Sequence, residues 1–181
     1  HGDNTDGLGL VADLLRNHQV EIKGARVLVL GAGGAVRGVL EPLLAEKPEE
    51  IVIANRTVSK AEVLAKLFVK SVESMASAVS ACGFEDLEGH FDLVINGTAA
   101  SLQGEMPPLS PSILDEDTCS YDMMYGPDET VFNRWCREQG AGKNLDGLGM
   151  LVEQAAEQFA LWRGIRPDTS GILDLLRCET A

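Results

Sequence analysis

Gly31-Ala32-Gly33-Gly34 stands between a short apolar run, Arg26-Val27-Leu28-Val29-Leu30, and a helical stretch opening near Ala35. A strand, a glycine turn and a helix start in immediate succession suit phosphate binding. Gly31 allows the tight turn, and Gly33 and Gly34 let backbone N–H groups approach a pyrophosphate with no Cβ in the way. The helix from Ala35 aims its positive end at the same point. A strict G-x-G-x-x-G would need glycine at 36, where Val36 stands, and Gly38 comes late. A plain strand-to-helix turn that uses glycine for backbone reasons is the structural alternative. Its place, closing the first strand of a βαβ unit, favours a dinucleotide.

The end of the second strand decides which dinucleotide. A NAD site places Asp or Glu there to accept from the ribose hydroxyls. This chain has Asn55-Arg56-Thr57, with Lys60 one turn on, and no carboxylate. Arg56 offers a planar fork to a 2′-phosphate, Thr57 a hydroxyl and Lys60 a point charge. The pattern favours NADP over NAD; a solvated Arg and Lys after a strand is the plainer alternative.

These residues need elements to hold them. The apolar spacing predicts a polar turn over 1–7, a helix over 8–18, a strand over 26–30 and a helix over 35–46 that ends near Pro48. A second strand follows at 51–54, then a helix capped by Ser59 that runs to about Leu67. The Ser- and Ala-rich stretch 69–82 reads as more helix, then a strand near 79–82. Further strands are expected over 91–96 and 119–123, with a Pro-rich loop at 104–111 between them. A helix over 130–138, a Gly-rich return over 140–149, a long helix over 148–163 and a short one near 170–177 complete the chain. Strands alternating with helices predict an α/β fold, a doubly wound parallel sheet with right-handed crossovers.

The chain has 181 residues, 15 basic and 28 acidic, for a net charge of −13. That balance argues against nucleic acid as a partner, since a phosphate backbone demands a basic face. It leaves room for a local basic pocket. No apolar run approaches the ~18 residues of a membrane span, and no signal-peptide pattern opens the chain. The start at His1, without methionine, reads as a piece of something longer. Cys82, Cys119, Cys136 and Cys178 form no CxxC pair and read as reduced thiols of a cytoplasmic protein. His1, His18 and His90 show no metal-ligand spacing, so no metal is expected. Tyr125 lies past a strand end, on the carboxyl edge where α/β ligands bind, and Gln154 faces the same edge.

Gly2-Asp3-Asn4-Thr5-Asp6-Gly7, Gly31 to Ala35, Asn55-Arg56-Thr57, Tyr121-Asp122-Met123-Met124-Tyr125 and Asp146-Gly147-Leu148-Gly149-Met150-Leu151-Val152-Glu153-Gln154 occur in this order. Together they resemble the shikimate dehydrogenase family from residue 2 to about 165. The resemblance implies reduction of 3-dehydroshikimate to shikimate with NADPH, on the way to aromatic amino acids. It implies a Rossmann-like NADP-binding domain over 7–148, with 1–6 and 149–181 joining or packing on a substrate domain. Asp6 would contact the substrate hydroxyls and pair with a catalytic lysine, and Tyr125 and Gln154 would reach the substrate. Gly31, Ala32, Gly33, Gly34 and Ala35 would hold the pyrophosphate, with Asn55, Arg56, Thr57 and Lys60 around the 2′-phosphate. Met123 and Gly147 would border the nicotinamide.

Two positions depart from the family pattern: Gly97 stands where Ala is usual, and Lys60 where Arg is frequent. The family's N-terminal half, with its Ser-x-Ser contacts, an Asn and the catalytic lysine, has no counterpart here. The expectation is a chain that binds NADP(H) without dehydrogenase activity of its own. The apolar helix 148–163 is expected to drive self-association if part of it is left uncovered; an ordinary amphipathic helix is the alternative. Two other functions compete: an NAD-using quinate/shikimate dehydrogenase, which Asn55-Arg56-Thr57 argues against, and a non-catalytic Rossmann-like binding module.

Overall fold

The computed structural model describes residues 2, 4–71, 79–100 and 104–180. Six parallel strands form one sheet in the order β3-β2-β1-β4-β5-β6. They are β1 (Arg26–Leu30), β2 (Glu50–Ala54), β3 (Val79–Cys82), β4 (Leu93–Asn96), β5 (Cys119–Asp122) and β6 (Lys143–Asp146). The helices are α1 (Asp6–Ala12), α2 (Gly34–Ala45), α3 (Val58–Ser71), α4 (Val131–Glu138), α5 (Leu148–Arg163) and α6 (Ile172–Thr180). The expected α/β architecture, a doubly wound sheet, is what forms.

The strand at the centre shows why β1 needs no alternation. Val27 and Val29 join one core layer with residues of α1, α2, α3 and α5, while Leu28 and Leu30 join the opposite layer with Phe91, Phe132 and Cys136. A parallel strand covered on both faces is apolar on both. The strand order reverses between β1 and β4, which both start from the middle of the sheet and wind outward. That reversal opens a crevice at the carboxyl ends of the strands, where ligands of open α/β sheets bind.

Three elements differ from the sequence expectation. α1 begins at Asp6, inside the predicted polar turn, and runs into a π-helical turn at Asp13–Asn17. Gly7 and Gly9 are poor helix formers, but here they let α1 wedge between two other helices. A Cβ on Gly7 would stand 2.6 Å from the Gly38 carbonyl and 2.6 Å from the Pro42 ring on α2, and one on Gly9 would stand 2.7 Å from Gln154 on α5. Pro42 lacks the N–H that would have bonded the Gly38 carbonyl, and Gly7 packs at that point. The third difference is β6. The Gly-rich return 140–149 contains a sixth strand at 143–146, hydrogen-bonded in register to β5. Its residues Lys143-Asn144-Leu145-Asp146 are polar because it is an edge strand. The strand expected near 79–82 forms; the helix continuation expected just before it falls partly on 72–78, outside the described residues.

Candidate functional site

The glycine turn lies at the crevice. Gly31 has φ of +105°, a conformation that favours glycine, and its N–H donates to the Ala54 carbonyl at 2.8 Å, tying the turn to the end of β2. A Cβ there would meet the Gly97 carbonyl at 3.2 Å. Gly33 is the N-cap of α2 and supplies no side-chain cap. Side chains at Gly33 and Gly34 would meet nothing within 4 Å. The protein's own packing therefore gives no reason for those two glycines. Open space over an uncapped helix start is what an approaching phosphate requires. Ala32 is half-buried beside them and Ala35 is exposed.

Two clefts flank this turn. One, of about 480 Å³, is lined by Ala32, Gly33, Gly34, Arg37 and Lys60, with Ser59 and apolar residues of α3 behind. The other, of about 330 Å³, is lined by Asn55, Arg56, Phe84, Thr98, Met106 and Pro107 among others. Lys60 lines the first cleft with the glycines, and Arg56 lines the second with Asn55, Thr98, Glu105 and apolar residues. The Asn55 side chain donates to the Thr57 carbonyl at 2.9 Å and shapes the turn that carries Arg56. Thr57 is exposed, and its carbonyl also accepts from the Lys60 N–H at 3.0 Å.

Arg37 belongs to the site and glycine spacing did not reveal it. It is exposed in the first turn of α2 and lines the same cleft as Lys60. Among the described residues, Arg37, Arg56 and Lys60 take part in no salt bridge, whereas Arg26, Arg134, Arg137, Arg166 and Arg177 are paired with carboxylates. A cation in a helix's first turn opposes the helix dipole, so Arg37 serves no stabilising purpose there. That sign was the available cue.

On the other side of the crevice, Met123 is buried and its carbonyl lies against Gly147, leaving no room for a Cβ. The Gly147 N–H donates to the Met124 carbonyl at 3.1 Å. Gly97 has a packing reason: its missing Cβ would stand 2.5 Å from a Val36 methyl and 3.2 Å from the Met123 sulfur. Valine at 36 and glycine at 97 therefore go together.

The three residues expected near substrate sit on different elements. Asp6 opens α1, where the Thr5 side chain accepts no capping bond and the Asp6 N–H donates to Asn4 Oδ1 at 2.7 Å. Gln154 packs against Gly9, one turn along α1. Tyr125 is 48% exposed beyond β5. Thr5, beside Asp6, is buried with its hydroxyl lacking a hydrogen-bond partner among the described residues. A buried orphan hydroxyl asks for a ligand or a water. Tyr121 is a core aromatic, not a site residue: it is fully buried and donates to Asp13 Oδ2 at 2.6 Å. Burial, then the Asp13 charge, pushes its hydroxyl well above the usual range, so it stays a donor. No described cluster of His, Cys, Asp and Glu could hold a metal ion.

Comparison with known proteins gives the same direction. A family model described as Shikimate / quinate 5-dehydrogenase matches residues 13–103, and one described as Shikimate 5′-dehydrogenase C-terminal domain matches 147–177. A shikimate dehydrogenase (NADP(+)) of Marinobacter nauticus is 59% identical over 177 residues, 98% of this chain and 64% of the relative. An Ael1 enzyme from Pseudomonas putida superposes with a TM-score of 0.87 at 46% identity, covering 96% of this chain and 62% of that one. A shikimate dehydrogenase solved in complex with NADP+ superposes with a TM-score of 0.80 at 33% identity, covering 99% of this chain and 63% of that one. The chain spans less than two thirds of the length of each of these proteins.

Proposed function

The chain belongs to the shikimate dehydrogenase family, and from that premise we propose that it is the NADP(H)-binding portion of an enzyme that reduces 3-dehydroshikimate to shikimate. The observation that carries the reading is the company of Gly33 and Gly34: an uncapped helix start, and beside it Arg37 and Lys60, two unpaired cations on a protein of net charge −13. These residues fit a phosphorylated dinucleotide. When bound, the nicotinamide supplies the hydride of the reduction. The chain's own residues do the rest of the binding. Amides at the start of α2 would hold the pyrophosphate, while Lys60 would reach the 2′-phosphate from the glycine cleft and Arg56, Thr57 and Asn55 from the other side of the turn. Met123 and Gly147 form the wall at the opposite end. Absence of a carboxylate after β2 favours NADP over NAD and disfavours an NAD-using quinate/shikimate enzyme.

Carbonyl reduction also needs a proton donor and a clamp on the substrate. Of the lysines Lys23, Lys47, Lys60, Lys66, Lys70 and Lys143, two are engaged away from the site. Lys143 donates to the His18 carbonyl at 2.8 Å, and Lys66 lies 3.8 Å from Glu62. Asp6 is the carboxylate for the substrate hydroxyls, joined by Tyr125 and Gln154, but it lacks a lysine partner in this chain. The chain alone therefore binds NADP(H) and does not turn over. Residues 7–148 are the nucleotide domain; 1–6 and 149–181 join or pack on a substrate domain outside this chain, although the first half of α5 is buried against the nucleotide domain. No described helix is long and apolar enough to cross a membrane. Four free thiols fit a cytoplasmic setting.

Calorimetry with NADP+ and NAD+ on wild type and Arg56→Ala tests the reading. Wild type should prefer NADP+, and Arg56→Ala should lose about tenfold in NADP+ affinity, the scale of one charge-assisted contact, with NAD+ unchanged. Equal binding of the two by wild type overturns it.

A further inference from the structure

Asn96 and Asp122 end β4 and β5 as register partners, and both are fully buried. Asn96 Nδ2 donates to Asp122 Oδ1 at 3.1 Å. The same carboxylate oxygen accepts the Met124 N–H at 3.1 Å. On the other side, Asn96 Oδ1 accepts the Thr98 N–H at 3.1 Å and the Thr98 hydroxyl at 2.7 Å. Backbone joins the same pair, since the Met123 N–H donates to the Asn96 carbonyl at 2.9 Å. The result is a buried polar relay, Thr98 to Asn96 to Asp122 to Met124, that joins the loop after β4 to the loop after β5.

Each end of the relay touches one side of the dinucleotide site. Thr98 and Gly97 lie against Gly31, where a Cβ would meet the Thr98 methyl at 3.3 Å. Met123 and Met124 hold Gly147 through the Met124 carbonyl and the close Met123 backbone. A carboxylate buried at the crevice, rather than a hydrocarbon, is costly unless its hydrogen bonds are met. The two side chains meet them with the two loops that must stay a fixed distance apart.

We infer that Asn96 and Asp122 are a positioning pair that sets the span between the phosphate turn at Gly31 and the nicotinamide wall at Met123 and Gly147. The inference rests on the NADP reading above. Both side chains are fully buried, and neither lines a cleft at the glycine turn. Their effect is therefore specific to a ligand that occupies both ends, and absent for one that occupies the phosphate end alone. A polar pair that served only to hold the sheet together would affect both ligands alike.

Asn96→Asp sets two carboxylates face to face and removes the donated bond. Adding Asp122→Asn restores one amide and one carboxylate with the roles exchanged, so the bond between the two side chains can form again, although the amide group that donates it no longer accepts the Met124 N–H. Dissociation constants are measured for NADP+ and for adenosine 2′,5′-bisphosphate, which lacks the nicotinamide end, with thermal unfolding alongside. Asn96→Asp is expected to weaken NADP+ about tenfold while the bisphosphate stays within about twofold, and the double variant to recover part of the loss, to about threefold below wild type. Asp122→Asn alone keeps an acceptor for Asn96 and Met124 but removes the charge, and should show the same selectivity at about threefold, which keeps the test open if Asn96→Asp does not fold. Parallel loss of both ligands, loss of neither, or a double variant no better than Asn96→Asp overturns the inference while leaving the NADP reading standing. A wild-type chain that binds neither ligand overturns both.

Discussion

Arg37 separates binding from stability within one side chain. It sits in the first turn of α2, where a positive charge meets the positive end of the helix, and no carboxylate compensates it among the described residues. Removing the charge should help the fold and harm the site. Arg37→Glu is expected to raise stability by about 0.5 kcal/mol, the size of a favourable charge at a helix start. The same change should weaken NADP+ by tenfold or more, because it places an anion where a phosphate would lie. Urea unfolding reads the first and calorimetry the second. Opposite signs support the assignment; a stability loss together with unchanged binding would show that Arg37 packs rather than binds. At this scale the sequence told much about the glycines, since Gly31, Gly33 and Gly34 follow a strand directly. It told less about Arg37 and nothing about Asn96 with Asp122, because that pair meets only through the register of two strands separated by 26 positions.

α1 and α5 illustrate how far an element depends on its neighbours. Their junction is built on buried charge. Asp13, in the π-helical turn, is fully buried and lies against Gly149 at the start of α5, where it also accepts from Tyr121 and from Asn17 at 2.8 Å. A carboxylate at a helix start is favourably placed. Glu153, one turn further along α5 and 1% exposed, accepts from Asn17 at 3.2 Å and Thr169 at 2.8 Å and pairs with Arg166. Glu153→Ala leaves Arg166, Asn17 and Thr169 without their shared acceptor. Arg166 keeps Glu157 and Asn17 keeps Asp13, so the change should cost about 2 kcal/mol, the scale of lost hydrogen bonds to a charge, and a chemical denaturation curve would read it. A loss under about 1 kcal/mol would show that water replaces the carboxylate. Such a junction explains what the sequence did and did not disclose. β1, β2 and β4 are buried on both faces and stand out as short Val-, Ile- and Leu-rich runs, whereas β5, Cys119-Ser120-Tyr121-Asp122, is buried without being one. β6 is polar because one edge is open. The early start of α1 at Asp6 goes with glycine contacts to α2 and α5, and a π-helical turn follows from the buried Asp13 onward, neither of which a 3.6-residue period encodes.

The whole molecule carries two surfaces of opposite character. At the crevice, Arg37, Arg56 and Lys60 interrupt an acidic surface and favour an incoming phosphorylated ligand, an attraction that salt should weaken. At the far end of α5 the charge gives way to hydrocarbon. Leu148, Met150 and Ala156 are buried in the first half of the helix, but Phe159, Leu161 and Trp162 are 45%, 61% and 77% exposed, and Ile165 just beyond is 70% exposed. The first half of the helix is thus covered by the rest of the protein, and the second half is largely bare. Aromatic and branched side chains this close together on one surface drive association when nothing covers them. Sedimentation velocity over a hundredfold range of concentration is expected to show a sedimentation coefficient that rises with concentration. Trp162→Asp together with Phe159→Asp should abolish the rise without altering NADP+ affinity, since neither residue lines a cleft at the glycine turn. A wild-type chain that stays monomeric throughout would show that this end of α5 is tolerated bare, and the apolar surface would then need another explanation than self-association.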